Sequence, residues 1–272
     1  YCLNAADGST VWTKTCAGPV YGSPTVDNGV VYIGTIGMGT SGSRYLYSLN
    51  LSDGSENWKH SVDNAIETKP VVSGNAVFFG AWDSYFYAVN KTTGTRLWRY
   101  QRNASRHYSP ADSWPVVSES TNRVFVADRE YVMNAINIGT GTADWVRGSV
   151  SSQAITPEGD ALLMRLSDGT GNLDKTTFAN VSLWKRGCSL DSAPVSPICN
   201  GTRTVVVDQD GLVSVVTTAT GVIQYQFQVS QSYQLHPVAI DADGNVYATT
   251  YEGWLLCIDH PEYTEVADWT IY

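Results

Sequence analysis

Apolar residues in this chain come in short bursts with polar residues between them. Val30–Gly34 (VVYIG), Arg44–Leu49 (RYLYSL), Ala76–Phe79 (AVFF), Arg123–Val126 (RVFV), Thr204–Val207 (TVVV) and Asn245–Tyr247 (NVY) are typical. Each is too short for a helix, is rich in β-branched and aromatic residues, and is bounded by Gly, Pro, Asn or Asp, which predicts strands joined by tight turns. Further strands are predicted where an x-Pro step leads into an apolar pair. These begin at Tyr21–Val26, Lys69-Pro70, Trp114-Pro115, Ala193-Pro194 and His236-Pro237. No segment carries a sustained helical period, so the chain reads as all-β.

The bursts repeat. Leu3–Trp12, Leu49–Trp58, Val89–Trp98 and Ile136–Trp145 align without gaps on the pattern apolar-Asn-x-x-Asp/Thr-Gly-x-x-x-Trp. Val216–Tyr225 keeps the spacing with Tyr for Trp, and Leu173–Trp184 and Ile258–Trp269 carry a two-residue insertion. The repeat aromatics Trp12, Trp58, Trp98, Trp145, Trp184, Tyr225 and Trp269 are 46, 40, 47, 39, 41 and 44 residues apart. That period is one four-stranded blade of a β-propeller. Asn bonds its own backbone across the turn, Gly supplies the positive φ, and the aromatic stands on the outgoing strand to pack between blades.

The reading is one propeller domain over residues 1–272, with about seven four-stranded antiparallel blades. Their spans are 18–60, 61–101, 102–147, 148–185, 186–228 and 229–272, and residues 1–17 form the outer half of a first, incomplete blade. Its inner strands are expected from sequence ahead of Tyr1, with strands donated by another chain as the alternative. The chain opens on Tyr1, as in a processed product or part of a longer protein.

The motif, with its Ser-Pro-like inner strands, resembles the pyrroloquinoline-quinone-type (PQQ-like) propeller repeat over nearly the whole chain. That family holds quinoprotein alcohol dehydrogenases and non-catalytic assembly scaffolds. The dehydrogenase branch implies a vicinal Cys-Cys and a calcium held by Glu, Asn and Asp. No adjacent cysteines occur here. Glu67, Asp112 and Asp191, with Trp114 nearby, are the acidic candidates at the inner-strand entrances. The resemblance favours the scaffold branch, with no cofactor.

Composition narrows the function. Only 16% of residues are charged and the net charge is −9, which repels phosphate backbones and argues against nucleic acid. No apolar run is long enough for a membrane-spanning helix. Cys2 with Cys16, and Cys188 with Cys199, flank short excursions and are expected as local disulfides, with Cys257 left over. Asn-x-Ser/Thr acceptors at Asn50, Asn90, Asn103, Asn180 and Asn200 point the same way, to the secretory pathway and the cell exterior, although Asn50 and Asn90 arise inside the repeat motif.

Chemistry-bearing residues are sparse. Glu67, Arg106, His107, Tyr108, Asp112 and Trp114 form a candidate ligand-binding set, in which His107 and Tyr108 suit proton abstraction from a sugar acid. Asp241–Asn245 with Glu252 has calcium-loop spacing, but Val246 stands where such a loop needs Gly, so it reads as a hairpin turn. His236 is read as packed, and His60 and His260 lie at strand ends. No nucleophile elbow, phosphate loop or metal helix motif is present. The function expected is a secreted, N-glycosylated, non-catalytic scaffold that binds a protein partner or a second copy, with glycans as a further partner class. Tyr21, Trp82, Trp114 and Tyr233 are its contact candidates. The alternatives are a quinoprotein dehydrogenase fragment and a carbohydrate-binding or polysaccharide-lyase propeller.

Overall fold

The computed structural model describes residues 1–37, 44–103, 110, 114–128, 130–155, 161–165, 171–177, 179–190, 197–199, 202–207, 211–228, 239–240, 245–249 and 255–258. They gather into two compact units, Tyr1–Glu130 with Asn134–Val146 and Tyr131–Met133 with Arg147–Tyr272. All regular structure among them is antiparallel β.

The first unit begins with a two-stranded sheet, β1 (Cys2–Leu3) and β2 (Thr10–Trp12). Three four-stranded sheets follow, each taking its strands in chain order. The second holds β3 (Thr25–Asp27), β4 (Val30–Gly34), β5 (Tyr45–Asn50) and β6 (Glu56–Ser61). The third holds β7 (Val71–Ser73), β8 (Ala76–Gly80), β9 (Phe86–Asn90) and β10 (Arg96–Tyr100). The fourth holds β11 (Val116–Ser118), β12 (Arg123–Ala127), β13 (Met133–Asn137) and β14 (Ala143–Arg147). The second unit continues with β15 (Val150–Ile155), β16 (Ala161–Arg165), β17 (Gly171–Thr176) and β18 (Ser182–Leu190). Next come β19 (Ile198–Cys199), β20 (Arg203–Val207), β21 (Leu212–Thr217) and β22 (Ile223–Gln228), and then three described strands, β23 (Ala239–Ile240), β24 (Val246–Thr249) and β25 (Leu255–Ile258).

Burial follows position in the sheet. The middle strands β4, β5, β8, β9, β20 and β21 are buried along nearly their whole length, because both faces meet other sheets or strands. The outer strands β6 and β10 mix exposed and half-buried positions, and the exposed ones carry Glu56, Lys59, Arg96 and Arg99, which suit an unpaired edge.

The repeat motif builds one turn many times. Asn4, Asn50, Asn90 and Asn137 each accept an N–H two residues on, from Ala6, Ser52, Thr92 and Gly139. The motif glycine then donates back to the Asn carbonyl, as Gly54 does to Asn50 and Gly94 to Asn90, with φ of +72° and +70°.

The same turn receives the tryptophan of the preceding sheet. Trp12 Nε1 donates to the Leu51 carbonyl at 2.8 Å, Trp58 to Lys91 at 3.0 Å, Trp98 to Ile138 at 2.7 Å and Trp184 to Thr218 at 3.1 Å. In every case the acceptor is the residue after the motif Asn, or after Thr217 in its place. Each indole lies flat against the motif glycine of that turn. A methyl group at Gly54, Gly94, Gly141 or Gly221 would sit 2.6 Å from the ring of Trp12, Trp58, Trp98 or Trp184. Glycine is therefore needed twice at these positions, for its backbone and for the ring. Apolar side chains fill in beneath. Tyr32, Leu46 and Trp58 of the second sheet join Val77, Phe79, Tyr87 and Val89 of the third. In the second unit, Leu173 and Trp184 join Val206 and Val216.

The expected disulfides do not form. Cys2, Cys16 and Cys199 are free thiols, as is Cys257, so neither the Cys2–Cys16 nor the Cys188–Cys199 bond is present. The cross-strand neighbour of Cys2 is Trp12, while Cys16 turns onto Val31, Ile33, Tyr47 and Leu49 of the next sheet. Burial there raises the Cys16 pKa. Cys199 packs beside Leu173, Val206 and Val216, and its sulfur lies 3.5 Å from the Thr218 hydroxyl.

Two glycine-to-alanine changes separate the turn from the docking. Gly29, at φ +77°, has nothing within 4 Å of an added methyl, whereas Gly94 has the Trp58 ring. Gly29→Ala is expected to cost about 1 kcal/mol from the left-handed backbone. Gly94→Ala is expected to cost about 3 kcal/mol, the excess coming from overpacking against the indole. Urea unfolding of the two variants measures the difference.

Candidate functional site

Of the sequence-predicted site residues, Glu67 and Trp114 are described, and each lies just ahead of an inner strand. Glu67 is half-buried ahead of β7, and its carbonyl and that of Thr68 close on Gly22, where a methyl group would come within 2.8 and 2.7 Å of the two oxygens. Trp114 precedes β11 and is 39% exposed, and Tyr21 precedes β3 and is 73% exposed. Trp82, half-exposed, accepts a hydrogen bond from Asn64 Nδ2 on its carbonyl at 3.1 Å. Glu67 and Trp114 thus belong to the mouths of different sheets, the third and the fourth. Arg106, His107, Tyr108 and Asp112 lie outside the described residues, as do Asp191, Tyr233 and His236.

Beside that set, the structure assembles a polar crevice that sequence reading missed. Arg102 Nε meets the buried carboxylate of Asp128 at 2.6 Å, and the other Asp128 oxygen accepts the Glu130 N–H. Tyr100 donates its hydroxyl proton to Asn134 Oδ1 at 3.1 Å, and Asn134 Nδ2 donates to the Val126 carbonyl at 3.3 Å. Pro110 closes one side of the crevice. Its free space suits about one water molecule. A carboxylate held by a guanidinium and a backbone N–H fixes the local geometry of the segments that carry them.

A second cluster joins the second and third sheets. His60 stands two residues after the motif Trp58, and its Nδ1 lies 2.9 Å from the Gly94 carbonyl, so that nitrogen carries the proton. Arg186, two residues after Trp184, donates Nε to the Gly221 carbonyl at 2.6 Å in the same way. The position after next to the tryptophan is therefore a second link between sheets. Its signal was the run of polar or aromatic residues Lys14, His60, Tyr100, Arg147 and Arg186 at one fixed offset. The His60 ring meets Phe79 and Tyr87 edge-on, and Tyr87 donates to Asp83 Oδ2 at 2.6 Å. Burial pushes the His60 pKa below its ordinary value, against the opposing pull of the Gly94 hydrogen bond. Burial likewise raises the Asp83 carboxyl, while burial and the Asp83 charge together raise the Tyr87 phenol.

A metal-dependent quinone site needs several oxygen ligands in one place. Among the described residues no three His, Cys, Asp or Glu side chains come together in that way. Of Glu67, Asp112 and Asp191 only Glu67 is described. The described residues do not assemble such a cage.

Repeated antiparallel sheets keyed together by a Trp on one and a Gly turn on the next define a β-propeller of PQQ-like repeats. The chain belongs to the family described as outer membrane protein assembly factor BamB, whose model matches residues 1–173. Among solved structures it resembles BamB from Moraxella catarrhalis, at 16% identity and a TM-score of 0.71, over 93% of this chain and 76% of that one. It also resembles the computationally designed Ika8 protein, at 15% identity and a TM-score of 0.72, over 93% and 75%. The quinohemoprotein alcohol dehydrogenase ADHIIG from Pseudomonas putida HK5 matches at 14% identity and a TM-score of 0.67, over 93% of this chain and 54% of that one. At these identities the likeness is one of fold. No curated protein matches the chain by sequence.

Arg102→Met is expected to destabilise the protein by about 3 kcal/mol, since it removes the guanidinium that faces the buried Asp128 charge. Restoring neutrality with Asp128→Asn in the same chain should recover part of that loss in thermal unfolding. His60 gives a pH test. Its folded pKa lies below the unfolded value of 6.5, so its contribution is complete above that value and is lost as the pH falls through the folded one. Replacing it by His60→Gln should flatten the stability profile on the acid side of neutrality, as read by denaturant midpoints across that range.

Proposed function

We propose that this protein is a secreted, non-catalytic propeller that binds a protein partner as an assembly scaffold. The observation that carries the reading is family membership with an assembly factor, BamB, over residues 1–173. Physical features support it. Sheets locked by repeated docking make a rigid frame, and the side chains left at their mouths, Tyr21 and Trp114, are large and exposed. Aromatic residues on a rigid support bind with little loss of conformational entropy. A net charge of −9 keeps such a frame in solution and favours a partner surface that is neutral or basic.

The secretory route rests on the acceptor asparagines. Asn103 is exposed and lies just ahead of the Arg106–Tyr108 segment. Asn180 is half-buried and accepts from Arg147 Nη1 at 3.0 Å, and Asn200 lies outside the described residues. Asn50 and Asn90 serve the repeat turns with their side-chain oxygens. Sugar is therefore proposed first at Asn103.

Two measurements test this reading. Secreted protein should lose mass on enzymatic removal of N-glycans, and Asn103→Gln should lose one glycan's share of it; an unchanged mass would remove the glycosylated, secreted part of the account. Dye-linked alcohol oxidation with added quinone and calcium should give no turnover, and turnover would replace the scaffold reading by the dehydrogenase one.

A further inference from the structure

Where Asn or Asp precedes Gly, the Gly nitrogen can attack the preceding side chain with little steric hindrance. Three such steps fall among the described residues. Asp7-Gly8 and Asp53-Gly54 belong to the repeat motif, and Asn28-Gly29 is the tip of the β3–β4 hairpin, closed by the Asp27–Val30 pair. The other Asn-Gly step, Asn200-Gly201, lies outside the described residues.

The structure treats the three steps differently. Gly8 donates its N–H to the Asn4 carbonyl at 2.8 Å and Gly54 to the Asn50 carbonyl at 2.9 Å, so both attacking nitrogens are engaged. Their targets are engaged too, because Asp7 accepts the Ser9 N–H and Asp53 the Ser55 N–H. Hydrogen bonds from those serines hold both carboxyls below their ordinary pKa, and an ionised carboxylate is a poor electrophile. The Gly29 N–H makes no hydrogen bond among the described residues, and Asn28 offers a neutral amide. Both residues are exposed and left-handed, with φ of +45° and +77°, as an Asn-Gly hairpin turn requires. The turn has to swing out of this conformation for a ring to close. Room exists at the tip, where a methyl group on Gly29 would meet nothing within 4 Å.

This tip braces two docking turns. The Gly29 carbonyl accepts the Leu51 N–H at 2.9 Å, and the Leu51 carbonyl is the acceptor of Trp12. Asp27 Oδ2 meets Lys91 Nζ at 3.1 Å, and the Lys91 carbonyl is the acceptor of Trp58. The Asn28 amide itself donates to Asp27 Oδ1 at 3.1 Å.

We propose that Asn28 is a spontaneous modification site, at which the Gly29 nitrogen attacks Asn28 Cγ and closes a cyclic imide. The new N–Cγ bond replaces the Cγ–Nδ2 bond, and the displaced nitrogen leaves as ammonia with the Gly29 N–H proton. Water then opens either carbonyl of the imide, giving aspartate or isoaspartate. Attacker and target are chain neighbours, so proximity drives the step without an enzyme. Each product puts a carboxylate where an amide donated to Asp27, adding a negative charge to a chain of net −9. Isoaspartate also inserts a methylene into the backbone, which breaks the register of a two-residue turn. The hold on Leu51 and Lys91 loosens in consequence.

Ageing the folded protein at mildly alkaline pH, where the attacking nitrogen loses its proton more readily, tests the proposal. Peptide mapping should show the peptide spanning Asn28 gain the mass of an amide-to-acid change, with isoaspartate and aspartate both present. Asp7 and Asp53 should remain aspartate. In the fraction modified at Asn28 alone, separated by its extra negative charge, the Leu51 amide should exchange at least about tenfold faster than in fresh protein. Asn28 left intact under conditions that convert a peptide of the same sequence would overturn the proposal. So would aspartate without isoaspartate, the mark of direct hydrolysis by water, or isomerisation of Asp7 or Asp53 as fast as the change at Asn28. Unchanged protection of Leu51 in the modified fraction would overturn the bracing role of the tip.

Discussion

The structure depends on one contact, the flat seating of an indole on a glycine turn of the next sheet. A four-stranded sheet of this size has two apolar faces and cannot bury either by itself. Docking neighbouring sheets on one another within each unit buries both. The tryptophan makes that docking specific, because its N–H has a single carbonyl to meet and its ring has a single glycine against which it can lie. A larger residue at the glycine or a smaller ring at the tryptophan breaks the fit from opposite sides. The Asn that shapes the turn acts one step earlier, by fixing the loop that presents both carbonyl and glycine.

Around this contact the molecule adds a second tier of links at a fixed offset. His60 and Arg186 reach the carbonyl of the motif glycine itself, so the same turn is held at two points. Lys14 bridges to Glu56, and Lys91 to Asp27, across neighbouring sheets. These exposed pairs contribute little each. The buried Arg102–Asp128 pair is different in kind, since its carboxylate is shielded and its partner lies on the chain leading to the next mouth. It ties the segment after β10 to the end of β12 in the fourth sheet.

Much of the fold was legible because its causes are local. Short apolar bursts bounded by turn residues and the Asn…Gly…Trp spacing are chemical requirements of strand and turn, and they repeat often enough to be read without a partner sequence. The seating of Trp12, Trp58, Trp98 and Trp184 follows directly from that reading. Other features depend on distant residues and left little trace. Gly34 and Gly80 end their strands where Ile66 and Pro110 of the next sheet approach, and each alone looks like an ordinary strand-end glycine. Cys2 and Cys16 are close in sequence and face different neighbours, so spacing misled. Of the predicted site, Glu67 and Trp114 sit at separate mouths, and the Arg102–Asp128 pair could not be found from residue types alone, because ion pairing across 26 positions carries no motif.

The central claim is best tested by a double-mutant cycle at Trp58 and Gly94. If the indole is what forbids a side chain at the turn, Gly94→Ala in a Trp58→Ala background should cost only the left-handed backbone, about 1 kcal/mol, leaving a coupling of about 2 kcal/mol between the two positions. Strictly additive losses would mean that ring and turn act independently, and the docking account would be wrong.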